Sequence, residues 1–163
     1  MCKISLFEIK FLRHEKKIMV KIEKISESGM IDRKKYYGKL FVSCAIWNWA
    51  VAVVFFFVSI MIPEAFEALG ITIPQSIVWF HSSLALVFVF GVAYYIAGKK
   101  IEENKGIVIM GVVEKYLIFT VGTVYFFTGD LTFLPYLIFV VDLTYGILFT
   151  ECIFNYVAVC SSG

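Results

Sequence analysis

The feature that most constrains this chain is a set of four apolar stretches, each about as long as one bilayer crossing. They run over residues 40–62, 76–97, 107–128 and 132–154. A helix needs about 20 apolar residues to cross the hydrocarbon core of a membrane, and these lengths fit that need. The stretches lack the alternation of polar and apolar residues seen in membrane barrels, which excludes a strand-based fold. The sequence therefore predicts an all-α protein, a four-transmembrane-helix bundle over residues 40–158.

Composition supports the same fold class. Hydrophobic residues make up 60 % of the chain and charged residues 17 %. A soluble domain carries about 25 % charged residues, so this chain is poor in charge. Helix-boundary residues also fit, because Gly98 and Gly129 follow the second and third stretches and Pro135 lies near the start of the fourth. The phrase from Pro63 to Gly70 predicts a short interfacial helix that begins at a proline and ends at a glycine.

The distribution of basic residues predicts how the bundle is oriented. Eleven of the 15 Lys and Arg residues lie in positions 1–39, and Lys99, Lys100 and Lys105 lie between the second and third spans. Cytoplasmic segments of membrane proteins carry an excess of Lys and Arg. The N-terminus and the second loop are therefore expected in the cytoplasm, and four spans return the C-terminus to the same side. We expect a multi-pass protein of the cell membrane.

The basic segment 1–39 is expected to form a separate cytoplasmic part of the chain. Two alternatives remain open: an amphipathic segment on the inner leaflet, or a disordered, positively charged topology signal. Its apolar runs are too short for the core of a signal peptide, so we expect no cleavage. Met19 and Met30 are internal alternative starts. Residues 159–163 form a tail, and its last three residues are either an appended sequence or the natural end.

Five polar residues inside the apolar stretches are the candidate site. An ionisable group in hydrocarbon costs a few kcal/mol, so it needs a partner or a purpose. At 1.5 Å rise per residue, Asn48 lies roughly 12 Å from the cytoplasmic end of its span. Glu114 and Lys115 lie at about the same depth, and Asp142 lies roughly 15 Å from the outer end of the fourth span. These four residues are therefore predicted to share one layer, whereas His81 lies roughly 8 Å below the outer surface.

Helical phase separates the two adjacent charged residues. Glu114 and Lys115 point about 100° apart, so they are not expected to share one face. We predict that Lys115 pairs with Asp142 across two neighbouring helices. Glu114 is left with Asn48, with a tyrosine such as Tyr95 or Tyr145, or with a protonated state. The face of Lys115 also carries Gly111 and Gly122, where we expect a neighbouring backbone to approach closely.

Each of these residues has a structural and a functional interpretation. Lys115 and Asp142 form either an ion pair that fixes helix register or part of a binding site. Glu114 is either a hydrogen-bonded neutral acid or an acid–base group. His81 is either a hydrogen-bonded histidine of the bundle or an acid–base group. Asn48 is expected to join helices by hydrogen bonding. No metal or cofactor site is predicted, because the four cysteines lack metal-ligand spacing and His81 lies on the other side of the membrane from the remaining histidine.

Short motifs in residues 65–156 resemble a widespread group of small four-helix membrane proteins that are grouped loosely with DoxX-like proteins. The phrases that carry the resemblance are Glu67-Ala-Leu-Gly70, Trp79-Phe-His81, Gly91-Val-Ala-Tyr94-Tyr95, Gly111-Val-Val-Glu-Lys115 and Asp142 with its following Tyr and Gly. The group has a glycine, a few apolar residues and then a lysine in the third span, so Glu114 directly before that lysine is a departure. The resemblance implies a four-helix fold and no particular reaction.

Two classes of function remain compatible with the sequence. The first is a non-enzymatic membrane protein that binds a small hydrophobic ligand or lipid, takes part in transport, or is a subunit of a larger membrane complex. The alternative is a small membrane enzyme, isomerase- or reductase-like, that acts on a lipid-like substrate with Glu114 or His81 as the acid–base. Membrane lipid is the expected partner in both, and no nucleic-acid partner is expected.

Overall fold

The computed structural model describes residues 6–69, 71 and 76–157. Within these residues the chain is helical and contains no strand, as an all-α protein requires. The helices are α1 (Leu6–Met61), α2 (Glu64–Ala68), α3 (Ile77–Lys99), α4 (Lys105–Thr128) and α5 (Phe133–Cys152). A 3₁₀ turn at Ile101–Glu103 joins α3 to α4, and a π-helical turn at Ile153–Val157 follows α5.

Four of these helices are long and apolar enough to cross a membrane. The segments with that property are Ile31–Met61, Ile77–Lys99, Lys105–Thr128 and Phe133–Asn155. Their number and positions confirm the prediction of four membrane-length helices. The first of these segments is part of α1, whose helix begins at Leu6 and therefore extends well before the predicted position 40.

The chain divides into two compact units, residues 1–36 and residues 37–163. The described part of the first unit is the beginning of α1, whose helix starts at Leu6. Whether that segment is amphipathic stays a prediction. The predicted tail 159–163 and the predicted helix-terminating Gly70 lie outside the described residues.

Prolines and glycines set the ends of the helices. Gly129 adopts a left-handed conformation, with φ of 85°, and its N–H caps the last turn of α4. Glycine takes this conformation without the steric cost that a Cβ brings, so the predicted end of the third span is confirmed. Pro135 lies in the first turn of α5, where no helical N–H is lost. The short helix α2 follows Pro63 and buries Phe66.

The core lies where α1, α3, α4 and α5 meet. Its centre is aromatic: the ring of Phe41 stacks on that of Phe149 with centroids 4.0 Å apart, and Tyr94 meets Phe149 edge-on at 5.3 Å. Aromatic pairs in these arrangements contribute about 0.5–1.5 kcal/mol beyond their buried area. The buried residues of this cluster are Tyr37, Phe41, Cys44, Ala45, Tyr94, Ala97, Ile101, Val108, Phe149 and Cys152.

Close backbone contact occurs between α1 and α3. A Cβ at Gly98 would lie 2.8 Å from the carbonyl oxygen of Gly38, and a Cβ at Gly38 would lie 2.9 Å from that of Gly98. Further along the same two helices, a Cβ at Gly91 would lie 2.5 Å from the indole nitrogen of Trp49. Small residues let two helices approach in this way when apolar solvent provides little drive for association.

The predicted role of two other glycines was wrong. Gly111 and Gly122 were expected to admit a neighbouring backbone. Instead they admit aromatic side chains: a Cβ at Gly111 would lie 2.8 Å from the ring of Tyr94, and one at Gly122 would collide with the ring of Phe139. The chain is rich in aromatic side chains, and this explains the difference. An aromatic ring fills the space that a glycine leaves on the helix surface because it has no side chain.

Candidate functional site

A buried ionic layer forms the centre of the candidate site. Lys115 of α4 is only 1 % exposed, and its Nζ donates to Oδ1 of Asp142 on α5 at 2.5 Å. The same Nζ donates to Oδ1 of Asn48 on α1 at 3.1 Å. The predicted pair of Lys115 and Asp142 is therefore present, and Asn48 joins it from a third helix.

Glu114 completes the layer through a partner that the sequence did not identify. The hydroxyl of Tyr94 on α3 donates to Oε2 of Glu114 at 2.7 Å. The partner is a tyrosine, which was one of the alternatives for Glu114, but it is Tyr94 and not Asn48, Tyr95 or Tyr145. Lys115 Nζ also lies 3.5 Å from Oε2 of Glu114, although the two residues point about 100° apart on the helix. The long, flexible lysine stem bridges that angle, which the argument from helical phase left out.

The two tyrosines predicted as site residues lie elsewhere. The ring of Tyr95 lies under the ammonium of Lys99, with 5.1 Å between Nζ and the ring centroid. The hydroxyl of Tyr145 lies 3.3 Å from Oγ of Ser43 on α1. Tyr145 still packs against the core, but its polar atom joins α5 to α1 rather than meeting Glu114.

The side chains around Lys115 leave its ammonium little access to solvent. Asn48 is 2 % exposed and Asp142 is 7 % exposed. The ring of Tyr94 lies beside the ammonium at 5.5 Å and adds a cation–π contact. Gly146 of α5 lies against the lysine stem, where a Cβ would lie 3.3 Å from Cβ of Lys115. The ammonium therefore exchanges its water shell for oxygen atoms and an aromatic face.

The charge of the layer is unbalanced. It contains one ammonium and two carboxyl groups, those of Glu114 and Asp142. Such a layer is neutral only when one carboxyl group holds a proton, and an unpaired charge in a medium of low dielectric constant is costly. The side chains of Glu114 and Asp142 are 12 % and 11 % exposed, so both carboxyl groups are largely enclosed. Among the described residues, Nδ2 of Asn48 is a buried donor without a hydrogen-bond partner.

His81 lies in a separate polar contact. Its Nε2 lies 3.0 Å from Oγ of Ser59 on α1, and its ring packs against Phe56 with centroids 4.7 Å apart. Ser59 is 11 residues beyond Asn48 on α1, which corresponds to about 16 Å along the helix. His81 and Glu114 therefore do not form one acid–base pair, and His81 has a helix-joining partner of its own.

Tyr94 is the member of the layer that the sequence reasoning missed. A signal was present in the spacing of α3, since Gly91, Tyr94 and Gly98 recur at intervals of three and four residues. That spacing places the three residues on one helix face. The glycines mark the face that packs on α1, so the tyrosine between them points into the bundle and Tyr95 points away.

Within the described part of the chain, no three His, Cys, Asp or Glu side chains converge on a point that could hold a metal ion. Cys44 and Cys152 are buried free thiols in the core. In comparisons with known proteins, the chain matches no family model, no curated protein and no solved structure. Any functional conclusion therefore rests on the geometry of the layer.

Proposed function

We propose that this chain is a non-enzymatic, multi-pass protein of the cell membrane that works by binding. Its partner is a small hydrophobic ligand or lipid, or a larger membrane complex in which it is a subunit or a component of transport. In this proposal the layer of Lys115, Asp142, Asn48, Glu114 and Tyr94 holds the four long helices in register. The N-terminus and the C-terminus both lie in the cytoplasm.

The observation that carries this proposal is that contacts within the protein fully occupy the ammonium group of Lys115. Its ammonium contacts Asp142, Asn48 and Glu114, and only 1 % of the residue is exposed. A catalytic or substrate-binding ammonium must reach a substrate, whereas this one is enclosed by Asn48 of α1, Asp142 of α5 and the ring of Tyr94 of α3. A buried polar group that joins several helices is best attested as a determinant of register and specificity.

Two further observations support the membrane placement. Large apolar side chains such as Val78, Trp79 and Phe127 are strongly exposed on the long helices, and hydrocarbon is the solvent that suits them. The basic residues are concentrated in segment 1–39 and in the loop between α3 and α4, which supports a cytoplasmic location for both. A reporter fused to the C-terminus tests this orientation, since a cytoplasmic fluorescent protein and a periplasmic or lumenal enzyme report opposite sides.

The resemblance to small four-helix proteins grouped with DoxX-like proteins remains part of the proposal. Gly111, Lys115, Asp142 and Gly146, which belong to the motifs behind it, all lie in or against the ionic layer.

Native mass spectrometry of the purified protein tests the binding function. The protein is released from detergent into the gas phase, and its bound molecules are identified after extraction. We expect a discrete small molecule or a protein partner in a fixed ratio to the chain. A monomer that carries only bulk lipid would contradict the proposal.

A membrane enzyme remains the second candidate because Glu114 supplies an acid–base group in the layer. Its side chain is 12 % exposed and its carboxyl group accepts a hydrogen bond from Tyr94, so a lipid-like substrate can approach this carboxyl group. The same mass spectra separate the two functions. An enzyme would release the bound molecule in two chemical forms, substrate and product, and Glu114→Gln would leave only one of them.

A further inference from the structure

We propose that the groove between α1 and α3 binds one anionic phospholipid, with Lys39 and Lys99 on its phosphate group. This inference rests on the proposed membrane placement of the four long helices. It concerns a different surface from the ionic layer, at the end of the bundle where α1 enters and α3 leaves the apolar region.

The contact between Gly38 and Gly98 brings the two lysines to one place. Each glycine lies against the carbonyl oxygen of the other, at 2.8 and 2.9 Å from the position of a Cβ. The next residue on each helix is a lysine, and both Lys39 and Lys99 are exposed. Two exposed lysine residues therefore flank the point at which the helix backbones touch.

Helix geometry places both lysines on the same side of that contact. The pairs of touching residues run in opposite directions along the two helices: Gly38 meets Gly98, and Trp49 meets Gly91. The helices are therefore antiparallel. One residue beyond the contact, each side chain turns by about 100° in the right-handed sense of its own helix. On antiparallel helices this rotation carries Lys39 and Lys99 to the same side, where one phosphate group can meet both.

An apolar and aromatic surface extends from the lysines into the membrane-length part of the groove. The indole of Trp49 lies 5.8 Å from the ring of Tyr95, centroid to centroid. Ile46 of α1 and Tyr95 of α3 are exposed on this surface. Trp49 lies ten residues along α1 from Lys39, or about 15 Å, which is a suitable length for the first part of an acyl chain.

The ammonium group of Lys99 lies beside the groove. Its Nζ lies 5.1 Å from the centroid of the Tyr95 ring, within the range of a cation–π contact. The neighbouring Lys100 is instead engaged with Glu103, with 2.9 Å between Nζ and Oε1. Lys99 therefore keeps its positive charge beside the groove, whereas the charge of Lys100 is balanced by a carboxylate.

These features define the chemistry of the occupant. Two ammonium groups at the head of an apolar groove complement an anionic head group joined to a hydrocarbon chain. A zwitterionic lipid presents a phosphate whose charge its own amine balances, so it gains less from the two lysines. Each basic residue near a membrane surface contributes appreciably to the attraction of anionic lipid.

The test compares lipid binding to the delipidated full chain in detergent by native mass spectrometry. The probes are phosphatidylglycerol and phosphatidylcholine with the same acyl chains, at equal concentrations. The variant is Lys39→Gln with Lys99→Gln. The control is Lys100→Gln with Lys105→Gln, which removes the same charge at the same end of the bundle but away from the groove.

We expect the parent and the control to prefer phosphatidylglycerol, and the preference of the Lys39/Lys99 variant to fall about 10- to 30-fold. Equal loss in both double variants would show diffuse attraction and overturn the site, and so would an unchanged preference in the Lys39/Lys99 variant. Failure of the membrane placement is distinguishable, because a parent chain that stays in aqueous solution without detergent would contradict the proposed function itself.

Discussion

Lys115 and Asp142 form an ion pair between α4 and α5, with 2.5 Å between Nζ and Oδ1, and the lysine is almost completely enclosed. Asn48 supplies the second oxygen that the ammonium contacts, at 3.1 Å. Removing one partner of such a pair leaves the other charge buried without compensation. Removing both is less harmful, because neither charge of the pair is then left buried without its partner.

The first prediction concerns this pair. Lys115→Met and Asp142→Leu are each expected to lower the free energy of unfolding by about 3–5 kcal/mol, and the double variant by clearly less than the sum. Reversible unfolding of the purified chain in mixed micelles measures the three values. Lys100→Met is the matched control, because the pair of Lys100 with Glu103 is exposed and is worth about 0–1 kcal/mol. Single variants as stable as the parent would rule out a stabilising pair.

The second prediction concerns the hydrogen bond from Tyr94 to Glu114. Tyr94→Phe keeps the ring that packs on Phe149 but leaves the carboxyl group of Glu114 without this donor. We expect a loss of about 1–3 kcal/mol in the free energy of unfolding. Tyr95→Phe removes the same atom from the adjacent, exposed residue and is expected to change stability by less than about 0.5 kcal/mol. Equal effects of the two substitutions would contradict the assignment of Tyr94 to the layer.

The third prediction concerns the backbone contact between α1 and α3. Gly98→Ala places a methyl group 2.8 Å from the carbonyl oxygen of Gly38, so the helices must separate. We expect a loss of about 1–3 kcal/mol, measured by the same unfolding experiment. Gly106→Ala is the control because the space around Gly106 is open, and it is expected to be neutral or to stabilise the helix by up to about 1 kcal/mol. A neutral Gly98→Ala variant would show that the two helices are not in close contact.

The fourth prediction concerns the polar contact at the other end of the bundle. Ser59→Ala removes the hydroxyl that lies 3.0 Å from Nε2 of His81. Interhelical hydrogen bonds of this kind in a membrane contribute about 0.6 kcal/mol on average, and we expect a loss of that size. Ser83→Ala is the control, because the hydroxyl of Ser83 bonds within its own helix to Phe80. The loss of stability is measured as a shift in the thermal unfolding midpoint. A larger shift for Ser83→Ala than for Ser59→Ala would refute an interhelical role for Ser59.

The two ends of α3 show how far sequence reasoning reached. The composition of Ile77–Lys99 identified a membrane-length helix to within two residues at each end, because length and hydropathy are properties of the segment alone. The sequence holds a signal for the rotation of that helix in the spacing of Gly91 and Gly98, but the face that packs on a neighbouring helix is seen only in the tertiary structure. Tyr94 and Tyr95 are chemically identical and adjacent, and only the packing of Gly91 and Gly98 against α1 determines that Tyr94 faces Glu114.

The pair of Lys115 and Asp142 was predictable for a related reason. Depth along a helix follows from counting residues, and a buried cation in hydrocarbon requires an anion at the same depth. The reach of the lysine stem to Glu114 was not predictable from phase alone, because a flexible side chain of four methylene groups covers more than one face.

The sequence by itself determined that this chain has four apolar helices, the ends of the last three to within two residues, and the depth that holds the charged groups. These properties follow from the cost of leaving backbone and side-chain polar groups unpaired in an apolar medium. That cost applies to each segment separately, so it depends on the sequence of that segment alone. Only the tertiary structure decided which side chains meet: Tyr94 with Glu114, Asn48 with Lys115, Ser59 with His81 and Gly38 with Gly98. Those contacts depend on how the helices rotate and approach one another, and that is set by the shapes of all their faces packed together.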